Sequence, residues 1–217
     1  MAERKTWRRL FPASKYGPLT IEFGDEPLDY RVGPGKGKWV PPPGFTFVPH
    51  DTKAKIITIG TGCRIRPGAT VFYGVKIGDR TKTGHNVFIR EACVIGTDCL
   101  IGTGSIIEND VRIGNGTRIQ SAVYLPTGTR IGNGVFIGPM TVFTNDRYMD
   151  YGKRDLKAPV VEDDVRIGAN CTILPGVRLR KGCWIGAGSV VTKDTEPSWI
   201  YAGNPAVKLR KTSEVAL

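Results

Sequence analysis

One histidine in the sequence is placed to carry out proton transfer. His85 lies in the segment KTGHNVF, and an imidazole ordinarily titrates near neutral pH, so it can take a proton from an attacking amine or hydroxyl. Glu91 lies six residues later, and its carboxylate could orient the imidazole or hold a substrate ammonium group. We predict His85 as a general base and Glu91 as its catalytic partner. A surface histidine and a solvated glutamate are the alternatives.

A six-residue period surrounds His85. From Ile77 to Phe143 every sixth residue is Ile, Leu or Phe, with Thr83 as the polar exception. The fourth position favours Gly, Asn or Asp, which tolerate positive φ at tight turns, and the fifth is small or β-branched. Such a period is typical of a parallel β-helix, an all-β fold of stacked short strands. With three hexapeptides in each coil, we expect about seven coils over residues 57–196, interrupted by an external loop at 149–160.

The segments outside the period are predicted to be accessory. Residues 1–56 read as extended pieces broken by proline, and we expect them to cap the first coil. Residues 197–217 form a C-terminal tail, in which AVKLRK is either a short basic helix or part of the tail. The first residues lack an apolar signal region, so a cytoplasmic protein without membrane contact is the expectation.

Composition argues against nucleic acid and metal as partners. The net charge is +11, but the basic residues are dispersed and no recognition motif accompanies them, so phosphate-bearing small ligands or a solvated surface fit better. His50 reads as a loop histidine outside the period. The five cysteines all occupy the fifth position and are expected to be small, buried corner residues rather than zinc ligands or disulfides; they are Cys63, Cys93, Cys99, Cys171 and Cys183.

One outward file of the predicted helix is apolar. In the second strand of successive coils the sixth position holds Thr70, Phe88, Ile106, Tyr124, Val142, Thr172 and Val190. The equivalent positions of the other two strands are largely Arg and Lys. A vertical apolar file on a surface indicates an interface with another protein, although these side chains could instead fold back over their own coil.

The repeat over residues 57–211 resembles the hexapeptide-repeat acyltransferases, and the resemblance implies a left-handed β-helix and a homotrimer that buries the apolar file. The run IQSAVYLPTGTRIGNGVFIGPMTVFTND is similar to the branch that acetylates nucleotide-linked amino sugars. That similarity implies acceptor-binding roles for Asn145, Asp146, Tyr124 and Gln120. The run IGAGSVVTKD with the later GNPA turn resembles the coenzyme A site of these enzymes. The implied acetyl-CoA contacts are Ala169, Gly186, Ala187, Gly188, Lys193, Lys208 and Arg210.

The resemblance favours transfer from acetyl-CoA to the amino group of a nucleotide-linked sugar, with no metal. An O-acetyltransferase acting on serine, a sugar or another small hydroxyl acceptor is the first alternative, because a general base also suits a hydroxyl. A non-catalytic β-helix assembly module is the second, although it would not need the break after Phe143. A β-helical carbonic anhydrase builds its zinc site from three histidines, and the sequence has two.

Overall fold

The computed structural model describes residues 20–23, 44–48, 56–149 and 156–215. The described chain is an all-β parallel solenoid of about eight turns, consistent with the left-handed form, so the predicted fold class is confirmed. Its strands form three sheets of eight strands each, with successive coils stacked in register.

The three sheets are named A, B and C. Sheet A contains β1 (Thr20–Phe23), β3 (Ile56–Ile59), β5 (Lys76–Ile77), β8 (Val94–Ile95), β11 (Arg112–Ile113), β14 (Arg130–Ile131), β17 (Val160–Val161) and β20 (Arg178–Leu179). Sheet B contains β2 (Thr46–Val48), β4 (Thr70–Phe72), β7 (Phe88–Ile89), β10 (Ile106–Ile107), β13 (Tyr124–Leu125), β16 (Val142–Phe143), β19 (Thr172–Ile173) and β22 (Val190–Val191). Sheet C contains β6 (Lys82–Thr83), β9 (Leu100–Ile101), β12 (Arg118–Ile119), β15 (Phe136–Ile137), β18 (Arg166–Ile167), β21 (Trp184–Ile185), β23 (Trp199–Gly203) and β24 (Ala206–Lys211). A 3-10 helix (Thr212–Glu214) follows.

The first and fifth positions of each hexapeptide fill the interior. Ile89, Ile107 and Phe143 are fully buried, and each coil stacks its apolar residue on the one below, so the core is continuous. The cysteines are buried and unpaired, as predicted. Burial raises the pKa of Cys93 to about 12 and that of Cys63 and Cys183 to about 11.

The corners between sheets are made by residues that accept unusual backbone geometry. The fourth position has positive φ, as at Asn86 (54°) and Gly104 (67°). At several second positions on sheets A and C glycine is needed for a different reason: a Cβ on Gly168, for example, would lie 2.5 Å from the amide nitrogen of Ala187 in the next coil. The corners between C and B, and between A and C, can therefore pack backbone against backbone.

Three segments depart from the six-residue period. Strands β1 and β2 extend sheets A and B before the first repeat, which gives one turn more than the seven expected; the rest of the N-terminal segment, including His50, lies outside the described residues. At the other end AVKLRK is strand β24, antiparallel to β23, and not a helix. Strands therefore continue beyond Pro197.

The break after Phe143 is an excursion from one corner. The chain leaves after Asn145 and rejoins at Lys157, whose amide donates to the Asn145 carbonyl at 2.9 Å. The next strand, β17, pairs with β14 in the ordinary register. The excursion thus begins and ends earlier than the predicted 149–160, and residues 150–155 lie outside the description. No helix in the described part of the chain is long and apolar enough to cross a membrane.

Candidate active site

The structure distributes the predicted site residues over two corners that flank sheet B. The corner between sheets C and B, called the C–B corner, carries His85, Gln120, Ala169 and residues 186–188. The corner between sheets B and A, called the B–A corner, carries Glu91, Asn145, Asp146 and Lys193. Lys208 and Arg210 lie on β24 of sheet C. Tyr124 lies on the face between the two corners. Within a single chain the candidates therefore form two separate groups.

His85 is exposed at the C–B corner, one coil before Thr103. Its backbone is fixed in place, because its carbonyl accepts from the Gly104 amide at 2.9 Å and its amide donates to the Thr103 Oγ1 at 3.3 Å. The imidazole thus projects from an anchored turn and is open to a partner or ligand.

The C–B corner also presents a column of amide groups that is available to a ligand. Among the described residues, the amides of Thr103, Ser121, Ala169 and Ala187 donate to no protein acceptor. The equivalent amides of the corner between sheets A and C are satisfied differently: those of Asn115 and others donate to side-chain oxygens one coil on. At the C–B corner the Thr103 side chain accepts an amide in this way, from His85, whereas the four amides named above have no such partner.

Small residues keep the far end of this column accessible. Ala187 and Gly188 are exposed, and a Cβ on Gly188 would meet no atom within 4 Å. The amides of Gly186 and Gly188 donate within the stack, to Tyr201 and Ala169. An extended ligand at this corner would therefore find its donors in the alanine amides, with space beside them at the glycines.

Glu91 is held in an ion pair at the B–A corner. Arg90 donates to both of its carboxylate oxygens, at 2.9 and 2.7 Å, and to Glu108 at 3.1 Å. The same guanidinium lies 5.6 Å from the centroid of the Phe72 ring. These contacts raise the pKa of Arg90, chiefly through the hydrogen bond to Glu91. Within one chain, Glu91 is thus directed to Arg90 and is not brought to His85.

Tyr124 lies within electrostatic range of Glu108 and Arg90. Its side chain is half-buried on sheet B, and burial, followed by the negative charge of Glu108, raises the pKa of its phenol. The phenol therefore stays protonated and can donate a hydrogen bond at neutral pH. Gln120, by contrast, lies two coils from His85 at the C–B corner.

Asn145 and Asp146 shape the start of the excursion. The Asp146 Oδ1 accepts from the amides of Tyr148 and Met149 at 2.9 and 3.0 Å. The Asn145 side chain donates to the Thr127 carbonyl at 3.5 Å. Both residues therefore have structural partners at the base of the excursion, which leaves one Asp146 carboxylate oxygen for a ligand.

The three basic candidates differ in how free their charges are. The Lys208 Nζ lies 2.6 Å from the Glu196 carboxylate and 3.7 Å from the centroid of the Trp199 ring, so its charge is already matched. Lys193 and Arg210 are exposed and form no ion pair among the described residues. Of the three, Lys193 and Arg210 are the better placed to meet a phosphate group.

Sequence reasoning missed the amides of Thr103 and Ser121 and the role of Arg90. Backbone donors leave almost no signal in the sequence. The one weak signal is that the third position at the C–B corner contains no Asn or Asp. Arg90 could have been noticed, because its position is glycine at many of the other corners.

Comparison with known proteins identifies the repeat. The model of the bacterial transferase hexapeptide (six repeats) matches residues 74–109 and 110–145, and that of the hexapeptide repeat of succinyl-transferase matches 93–126 and 160–193. A hexapeptide-repeat acetyltransferase from Vibrio cholerae is 32% identical over 59% of this chain and 72% of its own, with a TM-score of 0.37. The chain belongs to the hexapeptide-repeat transferases.

Two further proteins match parts of the chain. A 2,3,4,5-tetrahydropyridine-2,6-dicarboxylate N-acetyltransferase from Staphylococcus aureus is 48% identical over 56 residues, which span 26% of this chain and 23% of that enzyme. PerB from Caulobacter crescentus, solved in complex with CoA and GDP-perosamine, is 22% identical over 69% of this chain and 57% of its own, with a TM-score of 0.47. The chain thus spans about a quarter of the first relative. Among the described residues, no cluster of His, Cys, Asp and Glu could hold a metal ion.

Proposed function

We propose that this hexapeptide-repeat transferase moves an acetyl group from acetyl-CoA to the amino group of a nucleotide-linked sugar. The observation that carries the proposal is the shared corner: His85 and the column of unpaired amides lie on one edge of the stack. From His85 on the β6 turn to Ala187 on the β21 turn is five coils, or about 24 Å at ~4.8 Å per coil.

The residues of this corner fit a long, narrow cosubstrate. The amides of Ala169 and Ala187 can donate to the carbonyl oxygens of a pantetheine arm, and the absence of side chains at 186 and 188 lets such an arm approach the backbone. Arg210 on β24 is one cation available to its phosphates, and Lys193, at the B–A corner, could reach them only from a neighbouring copy of the chain. Acetyl-CoA supplies the activated acyl group as a thioester.

The acceptor amine attacks the thioester carbonyl, His85 takes the proton that the amine loses, and the C–S bond breaks to release CoA as the thiol; this is direct transfer in a ternary complex. The unpaired amides of Thr103 and Ser121 follow His85 along the corner, and they are the donors available to negative charge that develops on the acyl oxygen. This arrangement needs no metal. Gln120 and Tyr124 lie within two coils of Thr103 and would contact the acceptor.

The two corner groups meet only if copies of the chain associate, and we propose a homotrimer. Sheet B exposes Ile106 (40%) and Val142 (38%) on its apolar file. Packing this face against a neighbour would bring the B–A corner of one copy, with Glu91, Asn145 and Asp146, toward the C–B corner of another. Each site would then be shared by two chains, and Glu91 of a neighbour could hold the acceptor's ammonium group.

The test is an acetyl-transfer assay with a panel of acceptors. UDP- and dTDP-linked amino sugars, free amino sugars, free neutral sugars and serine are incubated with acetyl-CoA while thiol release is followed, and products are identified by mass spectrometry. N-acetylation of a nucleotide-linked amino sugar is the expected result. Products acetylated on serine or a sugar hydroxyl would establish the O-acetyltransferase alternative. Absence of both turnover and acetyl-CoA binding by calorimetry would favour the non-catalytic module.

A further inference from the structure

The outer face of sheet C carries an alternation of basic and aromatic side chains. Arg118, Phe136, Arg166 and Trp184 occupy the same strand position in four successive coils, and we call this set the sheet C platform. It lines a surface groove of about 630 Å³. Phe136 is 38% exposed, although it is a large apolar residue. A ring at this site is therefore open to a ligand.

The platform's positive charge is not neutralised. Among the described residues neither Arg118 nor Arg166 forms an ion pair, and the groove is lined by no Asp or Glu. On sheet A, by contrast, Arg130 and Arg178 are paired with Asp110 and Glu162. The contrast indicates that the platform arginines lack the acidic partners that Arg130 and Arg178 have, so a bound anion would supply them.

The aromatic rings of the platform place a second requirement on the ligand, which must offer a flat surface. The Arg166 guanidinium carbon lies 5.1 Å from the centroid of the Trp184 ring, so a cation is already stacked on an aromatic surface. Adjacent coils are spaced by about 4.8 Å, so each exposed ring has a guanidinium on the neighbouring coil. A flat heterocycle can stack on Phe136 while its attached phosphates reach Arg118 or Arg166 with paired hydrogen bonds.

We infer that the sheet C platform binds a nucleoside diphosphate group, with the base on Phe136 and the phosphates on Arg118 and Arg166. The inference deepens the proposed function and rests on it for the source of the ligand. Two sources share this chemistry: the nucleotide half of CoA, and the nucleotide of the sugar acceptor. The groove also contains Gly168 and Gly186 of the C–B corner, so the platform is continuous with the column of free amides.

The experiment measures nucleotide binding by calorimetry on the full chain. The probes are adenosine 3′,5′-diphosphate, UDP, dTDP, GDP and inorganic pyrophosphate, used separately. The variants are Arg166→Gln and Phe136→Leu, and the matched control is Arg112→Gln, which removes an exposed arginine from the same strand position on sheet A. Thermal unfolding of each variant verifies that it is folded, and Arg166→Lys serves as a second variant that keeps charge but loses the paired geometry.

We expect at least one nucleotide to bind, with affinity reduced about tenfold by Arg166→Gln and about fivefold by Phe136→Leu, and changed less than about twofold by Arg112→Gln. Pyrophosphate should bind more weakly than that nucleotide and be insensitive to Phe136→Leu. A response limited to adenosine 3′,5′-diphosphate supports the platform with CoA as the source, and a response to UDP, dTDP or GDP supports it with the acceptor as the source.

Equal loss in the Arg112→Gln control, or no nucleotide binding at millimolar concentration, would overturn the inference. The acetyl-transfer assay separates this result from failure of the proposed function. Turnover that persists while nucleotide affinity is unaffected by Arg166→Gln and Phe136→Leu removes the platform but keeps the transferase. Nucleotide binding that depends on the platform, without any acetyl transfer, keeps the platform but removes the proposed transferase activity.

Discussion

Replacing Gly168 with Ala should force two coils of the stack apart at the C–B corner. The added Cβ would lie 2.5 Å from the Ala187 amide nitrogen and 2.7 Å from the Ala187 Cα, whereas ordinary contact begins at 3.4 Å. The shortfall is 3.4 − 2.5 = 0.9 Å, and both atoms are backbone, so no side chain can rotate away. Overpacking of this kind costs roughly 1–3 kcal/mol.

A cost of about 2 kcal/mol lowers the thermal midpoint of a chain of this size by about 4–8 °C. Circular dichroism melting at one fixed protomer concentration measures it, because association makes the midpoint depend on concentration. The matched control is Gly116→Asn: this glycine has φ +67° and open space around its Cβ, and Asn tolerates that backbone, as Asn86 and Asn170 do in this chain. The control should lie within about 1 °C of the parent.

The same substitution displaces an amide that we propose as a cosubstrate contact. Gly168→Ala should therefore raise the KM for acetyl-CoA more than Gly116→Asn does, even below the melting range. A Gly168→Ala protein that melts within about 1 °C of the parent would refute the steric reasoning, because the two coils would then have accommodated the methyl group without cost.

Three further predictions concern other parts of the molecule. His85→Gln should lower kcat for acetyl transfer by about 10²–10⁴-fold with little change in the KM for acetyl-CoA, and steady-state kinetics showing an unchanged kcat would exclude His85 as the base. The pKa of Cys93 is raised from 9.0 to about 12, so the folded state keeps the thiol proton, and the contribution of this thiol to the free energy of unfolding should be constant below pH 9 and fall above it. Urea unfolding at pH 8 and 10 should show that loss, with a smaller loss in Cys93→Ala. Ile106→Glu places a charge on the apolar file and should reduce the mass measured by light scattering to that of one chain; an unchanged trimer mass would locate the interface elsewhere.

The repeat is the part of the fold that the sequence predicts well, because each position has one physical requirement. First-position residues such as Ile107 must be apolar to fill a narrow prism, and fourth-position residues such as Asn86 must accept positive φ. These constraints recur every six residues, so the pattern of a short stretch of sequence is enough to predict its place in a coil. Strands β1 and β24 obey no such period. They form because an exposed sheet edge offers backbone partners, and that depends on the completed stack.

The sequence nominates candidate site residues one by one, but it does not show which of them lie together. His85 and Glu91 occupy equivalent positions in consecutive hexapeptides, and on a three-sided prism consecutive hexapeptides end at different corners. Adjacency in sequence therefore separates them in space, whereas His85 and Ala187 share an edge across five coils. The unpaired amides of that edge depend on which side chains are missing nearby, which only the folded corner reveals.

The hydrogen bond between the Lys157 amide and the Asn145 carbonyl has an evolutionary consequence. Because the chain departs and returns at a closed junction, and β17 resumes the register of β14, the intervening residues can lengthen, shorten or change character without disturbing the coils on either side. Selection on that segment can thus proceed independently of selection on the edge that holds His85. Grafting the corresponding stretch from a relative would test whether this segment sets the acceptor preference that we propose, with the scaffold left intact.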